Sequence, residues 1–308
     1  MTADPATVEV IRHYLVSAAT EMERTLVRAA YSTIIYEIND YGLSIFDRHF
    51  NLLADSTGLP LFLGANEYAI RQTFEKGEFD KLEPGDVIFM NNPYWSGAHT
   101  NDGVLISPVF ADNKLVAYTV VRAHWTDLGG KDPGYILDST SVHQEGIMIP
   151  GVKIVRRGEY NKDILAVLCA NSRAPATIMG DFNAEVAALR VGVERVKELY
   201  QKYGSATVEA SISQILKVGE KQARAAILDL PDGEWEAEDW MDNDGISDDL
   251  VRIHVKITVK DDEMTVDYSG SSDQVAGPIN LSFGMALSAA RICFKTLTTP
   301  KEPSNGGQ

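Results

Sequence analysis

His99 and Asp102 lie three apart in NNPYWSGAHTNDGVLISPVF, residues 91–110, and His124 closes the next apolar run, in VVRAHWTDLGG, residues 120–130. On one strand an offset of three points two side chains to opposite faces. His99 and Asp102 therefore converge only if SGAHTND is a turn, which Gly97 favours. His124 sits at a strand end, where a rigid frame commonly presents site residues. Two imidazoles with one or two carboxylates suit a first-row divalent ion. The carboxylates offset its charge, imidazole favours zinc, manganese or iron over calcium or magnesium, and an open position is left for water or substrate. The same residues also suit two unrelated polar loops with hydrogen-bonded histidines, and the spacing leaves both readings open.

Asp40, in EINDYG, is a further carboxylate candidate, if the fold brings it to the same place. Arg122, two before His124, shares its strand face and either binds an anion or pairs with a core carboxylate. Asp127 either orients His124 or caps a turn at Gly129-Gly130. His143, beside Glu145, is a loop residue that could line a site. His13 on an amphipathic helix, His49 in a hairpin turn and His254 on a polar strand face read as structural or solvated.

The elements that must position these residues are legible in outline. Val8, Ile11, Tyr14, Leu15, Ala18, Met22, Leu26 and Ala29 recur at three- and four-residue steps and predict a helix over 6–33. Ile45-Phe46-Asp47 and Leu52-Leu53-Ala54 predict a hairpin around DRHFN. A helix is expected over 66–75, then a buried strand in GDVIFM and a strong strand in LVAYTVVRAHW. Residues 129–151 read as loop. Asn161 should cap a helix in NKDILAVLCANSR, and a longer helix should run from about Asp181 to Gly204. LPDGEWEAEDWMDNDG is acidic and turn-rich. VRIHVKITVKDDEMTVDYSG is a hairpin with Ile253, Val255, Ile257 and Val259 on one face and a turn at Asp261-Asp262. The expected fold class is mixed α+β, a long N-terminal helix packed on mixed or antiparallel sheets. The expected division is an α+β domain carrying the candidate site over 1–230 and a β-hairpin subdomain over 231–308.

With 308 residues, 44% hydrophobic and 23% charged, the composition is that of a globular protein with a real core. A net charge of −16 argues against nucleic acid and against anionic membranes. MTADPATVEV lacks the features of a signal peptide, and no apolar run is long enough to span a bilayer. Cys169 and Cys293 are read as buried thiols, which fits a reducing cytoplasm. No GxxxxGK[ST] loop, GxGxxG turn or GxSxG elbow is present, so for any energy-coupled chemistry the nucleotide is expected to bind elsewhere.

Seven segments together resemble the hydantoinase B/oxoprolinase family. They are Glu21-Met22 on the first helix, YEINDYGLSIFD, GDVIFMNNPYWSGAHTNDGVLISPVF, RAHWTDLGGKDPG, HQEGIMIPGVKI, NSRAPATIMGDFNAEVAALRVG and DYSGSSDQVAGPIN. The third is similar to the family's Asn-Asp-Pro-Tyr…Gly-x-His-x-x-Asp segment. Asn92 departs from the family's Asp, and Phe62 stands near where many members have a histidine. The resemblance implies a hydantoinase B-like fold and a divalent metal on His99, Asp102 and His124, with Asp40 as fourth ligand; zinc comes first, manganese or iron next. Asp127 and Arg122 are secondary candidates for a catalytic role. It also implies ATP and Mg²⁺ on a partner subunit, an actin/hexokinase-like ATPase of the hydantoinase A type, within a hetero-oligomer. The implied reaction is opening of hydantoin, lactam or 5-oxoproline-type rings. The alternatives are the metal-site subunit of an acetone/acetophenone-type ketone carboxylase using bicarbonate, and a non-catalytic structural fragment of such a complex. The ending EPSNGGQ resembles a loop short of the usual C-terminus, which implies that a C-terminal part is missing or lies on a separate chain.

Overall fold

Pro5 in the first turn and Asp4, whose side chain accepts from the Thr7 amide at 3.0 Å, start helix α1 (Pro5–Ala29). The computed structural model describes residues 3–62 and 64–308; Met1, Thr2 and Leu63, which fall in the N-terminal and Phe62 segments discussed above, lie outside the described residues. α1 ends before residue 33 because Ala30 is extended and Ser32 caps a new short helix, α2 (Thr33–Tyr36). The chain continues through β1 (Tyr41–Asp47), β2 (Leu52–Thr57), α3 (Ala65–Lys76), β3 (Val87–Met90), α4 (Pro93–Ser96), β4 (Asp102–Ala111), β5 (Lys114–His124), β6 (Pro150–Arg156) and β7 (Glu159–Tyr160). Then come α5 (Lys162–Asn171), α6 (Pro175–Tyr203), α7 (Ser205–Leu228), β8 (Gly233–Met241), β9 (Val251–Lys260), β10 (Glu263–Asp267) and α8 (Phe283–Thr298).

Seven strands form one sheet in the order β2-β1-β5-β4-β3-β6-β7, with every neighbouring pair antiparallel. The fold class is thus mixed α+β with antiparallel sheets. Strand alternation sorts the core into two layers. Leu43, Ile45, Leu105, Val121 and Ala123 face α1 and α6, whereas Phe46, Val104, Ile106, Tyr118 and Val120 face Ala69 and Ile70 of α3. Because both faces are covered, the central strands are apolar throughout instead of alternating. Gly192 lets α6 approach closely: a Cβ there would lie 2.4 Å from Met22 Sδ and 2.8 Å from Thr119 Cγ2.

Several expectations need correction. α6 starts at Pro175, not near Asp181, since proline is compatible with a first helical turn. α7 has no counterpart among the expected elements, although Val208, Ile212, Ile215 and Ile227 form a buried stripe. The acidic stretch after residue 230 is strand β8, because its glutamates find basic partners on β9. Lys256 reaches Glu234 at 3.0 Å and Arg252 reaches Glu238 at 2.7 Å. The β9–β10 turn falls at Asp261-Asp262 as expected. Its apolar face is only partly covered, and Ile253 remains 45% exposed. His254 is structural, as expected of it: it lies 3.5 Å from Glu236 and packs on Gly270. Neither cysteine is fully buried. Cys169 is half-buried beside the Leu165/Leu168 stripe of α5, and Cys293 is exposed, because α8 buries Gly284, Met285 and Ser288 instead. No helix among the described residues is long and apolar enough to cross a membrane.

Trp125, next to His124, anchors β5 in the α1–α6 layer. It stacks on Phe89 at 4.9 Å, and its indole N–H donates to Glu185 of α6 at 2.6 Å. Gly103 makes room for the ring, since a Cβ there would come within 2.8 Å of Nε1. Glu185 is fully buried. Burial first, then the nearby Asp181, hold its carboxyl well above the usual value of 4.5. A group kept protonated in the fold but free to ionise when unfolded loses its stabilising proton linkage as pH rises from its unfolded pKa towards its folded one. Glu185→Gln keeps an acceptor for Trp125 and removes this term. Its stability relative to the parent should therefore rise as pH increases above the usual carboxyl value of 4.5, as read by thermal melting. Parallel curves for the two proteins would show that Glu185 is ionised in the fold.

Candidate metal centre

Three strand ends meet at one corner of the sheet. β5 ends at His124, whose register partner is Asp102, the first residue of β4. On the other side β1 begins at Tyr41 opposite Ala123, and the His124 amide donates to the Asp40 carbonyl at 3.1 Å. His124 thus stands between two carboxylates. By strand parity it shares the α3 side of the sheet with Arg122. His99 arrives through a turn. Asn92 caps α4 by accepting from the Tyr94 amide, and Gly97 ends it with φ +85. A Cβ at Gly97 would sit 3.2 Å from the Gly284 backbone of α8. The Asp102 amide then donates to the His99 carbonyl at 3.1 Å, and the Asn101 amide to His99 Nδ1 at 3.3 Å.

The ligand-type atoms of His99, Asp102 and His124 all lie within 4.8 Å of one another. Asp102 Oδ1 is 3.6 Å from both His99 Nε2 and His124 Nδ1, and Asp40 Oδ2 is 3.7 Å from His124 Nδ1. Asp40, Asp102 and His124 are buried, and His99 is half-exposed at the opening. Burial, then the charge of His99, push the His124 pKa down to about 4, so its ring is neutral at neutral pH with a lone pair to give. Burial, then Asp102, raise the Asp40 carboxyl. Buried polar atoms are nearly always paired. Here Asp102 Oδ1 and both ring nitrogens of His124 have no hydrogen-bond partner among the described residues. Two imidazoles and carboxylates whose unpaired atoms face one another fit a divalent transition ion.

The structure also places the remaining candidates. Arg122 is fully buried and pairs with a core carboxylate, its Nη1 lying 3.8 Å from Asp102 Oδ2. It donates to Asn66 Oδ1 at 3.0 Å and to the Ala65 and Ser96 carbonyls, and lies 5.1 Å from the Phe62 ring centroid. Burial brings its pKa down to about 10. Asp127 is committed elsewhere: it accepts from Gly129 at 3.1 Å and from the Arg173 guanidinium at 2.7 and 2.8 Å, so it caps the turn and does not orient His124. His143 is exposed on a single 3-10 turn. Tyr135 was not among the candidates, yet its hydroxyl donates to Asp40 Oδ2 at 2.7 Å. The one signal for it in the sequence is an aromatic residue directly after Gly134 in a glycine-rich loop.

Comparison with known proteins places these features in context. A putative D-/L-hydantoinase subunit of Pseudomonas sp. (strain NS671) is 37% identical over 289 residues, covering 90% of this chain and 49% of that protein. The crystal structure of ATP-dependent caprolactamase from Pseudomonas jessenii superposes with a TM-score of 0.91 at 32% identity, covering 100% of this chain and 53% of that one. A nucleotide-free acetone carboxylase structure gives a TM-score of 0.91 at 18% identity and covers 99% and 42%; at that identity it supports the fold alone. The chain spans about half the length of the curated hydantoinase and caprolactamase relatives it matches and about a quarter of the 5-oxoprolinases. The family described as hydantoinase B/oxoprolinase matches residues 4–308, and the chain belongs to that family.

Proposed function

We propose that this chain holds one divalent transition metal, zinc in preference to manganese or iron, at His99, Asp102, His124 and Asp40. We further propose that it is the metal-bearing subunit of an ATP-dependent enzyme that opens hydantoin-, lactam- or 5-oxoproline-type rings. The observation that carries this reading is that Asp102 Oδ1 and both ring nitrogens of His124, at two paired strand ends, are buried without a hydrogen-bond partner among the described residues, with a ligand-type atom of His99 within 4.8 Å of theirs. The hydantoinase and caprolactamase relatives give the direction towards cyclic amides. The proposed partner is an actin/hexokinase-like ATPase subunit of the hydantoinase A type, which carries ATP and Mg²⁺. Ketone carboxylation ranks second, because the acetone carboxylase likeness supports the fold alone.

When bound, such an ion supplies Lewis acidity to a carbonyl and to water. The residues of the chain prepare that chemistry. His124 is kept neutral by burial. Asp102 divides its carboxylate, with Oδ2 towards Arg122 and Oδ1 towards the two histidines. His99, half-exposed, marks the side from which substrate enters. An unstrained amide is a poor electrophile with a poor leaving nitrogen, so phosphoryl activation by the partner answers a need that this site does not meet alone.

His124→Ala should lower bound metal at least about tenfold with an unchanged far-ultraviolet circular dichroism spectrum, whereas His13→Ala, on an exposed helix face, should leave metal content intact. Elemental analysis of the purified chain checks both, and full occupancy in His124→Ala would sink the assignment.

With the ATPase partner present, ring-opened product and ADP should form together, and omitting ATP should abolish product. Ring opening at full rate without nucleotide would point to an ordinary metal-dependent cyclic amidase. Labelled bicarbonate retained in a carboxylate made from a ketone would establish the carboxylase reading instead.

A further inference from the structure

Tyr135 makes three contacts with the candidate ligands. Its hydroxyl donates to Asp40 Oδ2 at 2.7 Å, and its ring centroid lies 4.7 Å from that of His124 and 5.3 Å from that of His99. It is nonetheless 60% exposed, so the ring lies between the ligands and solvent while its hydroxyl reaches inward. The loop that carries it is built into the site. The Asn101 side chain, between His99 and Asp102 in sequence, donates to the Gly134 carbonyl at 2.8 Å, and the Gly134 amide donates to the Thr126 carbonyl at 3.0 Å. Gly134 adopts φ +80, which favours glycine and sets the direction in which Tyr135 leaves the loop. The turn that presents two ligands therefore also fixes the residue that touches the other two.

Asp40 needs such a partner. It precedes β1 directly after Asn39, itself at φ +62, and its side chain receives no other hydrogen bond among the described residues. A carboxylate that serves a metal is normally oriented by a hydrogen bond from beyond the ligand set. We propose that Tyr135 is the positioning residue of this centre: its hydroxyl aims the Asp40 carboxylate at the ion, and its ring covers the His124 imidazole on the solvent side. The proposal rests on the metal reading above and deepens it.

The test uses the full chain and Co²⁺ alone, whose visible bands report ligand number and geometry. Wild-type protein should bind Co²⁺ with such bands. Tyr135→Phe, which keeps the ring, should weaken binding about tenfold and shift the bands, with an unchanged far-ultraviolet spectrum. If Tyr135 acts through Asp40, adding Tyr135→Phe to Asp40→Asn should cost no further affinity. If Asp40→Asn binds too weakly to titrate, the affinity and band shift of Tyr135→Phe decide alone. Equal or tighter binding by Tyr135→Phe with unshifted bands would overturn the role of Tyr135 and leave the metal reading intact. So would an undiminished tenfold loss in the Asp40→Asn background. Absence of bands from the wild-type protein would overturn both.

Discussion

The register of β5 between β1 and β4 is the constraint on which the site depends. A slip of one residue would turn His124 and Arg122 into the α1–α6 layer and bring Ala123 to the site. The pairing is pinned from both faces. Val121 and Ala123 fill one core layer and Val120 and Tyr118 the other, so a slipped strand would exchange small and large side chains in two packed interiors. Trp125 adds a polar lock, since its indole finds Glu185 only in this register.

Arg122 shows how the same register is used chemically. A buried guanidinium is costly unless paired and hydrogen-bonded. Its partners come from α3, from α4 and from β4, so it ties the loops on the α3 side to the strand that carries Asp102. Gly42, directly opposite Arg122 on β1, leaves room for Phe62, which lies over the guanidinium; a Cβ at Gly42 would meet Phe62 Cβ at 2.7 Å. The cation stays beneath the site, holding one oxygen of Asp102 so that the other faces the histidines.

Period and spacing made α1, the β1–β2 and β9–β10 hairpins and the Asn161 cap legible, because each is decided by residues close together in sequence. The HxxD turn was legible for the same reason through Gly97. Asp40 could be named a candidate ligand only through the family resemblance, since its nearness to His124 is a product of strand pairing across more than eighty positions. Arg122 and Asp127 each carried two open roles, and partners distant in sequence decided both: Asn66 and Ser96 for one, Arg173 for the other. Strand β8 was obscured by its glutamates, whose compensating charges lie on β9 and do not show in a local composition.

The connection from β5 to β6, residues 125–149, bears on how the site is held. A loop of this length is expected to be mobile unless its polar groups are paired. Here Asn91, at the end of β3, donates to the Thr100 and Ile147 carbonyls at 2.6 and 2.8 Å and accepts from the Ile149 amide at 2.6 Å. Thr100, next to His99, donates to the Glu145 carbonyl at 2.6 Å, and the Ile147 amide returns to Leu128. The loop and the HxxD turn are thus joined to each other and to the sheet by the backbone and side chains of residues that flank the ligands. Candidate ligands held in this way are placed in advance, so that on the proposed metal reading less order would have to be gained on binding. That accounts for a constellation drawn from three strand ends and one turn keeping its unpaired atoms directed at one another.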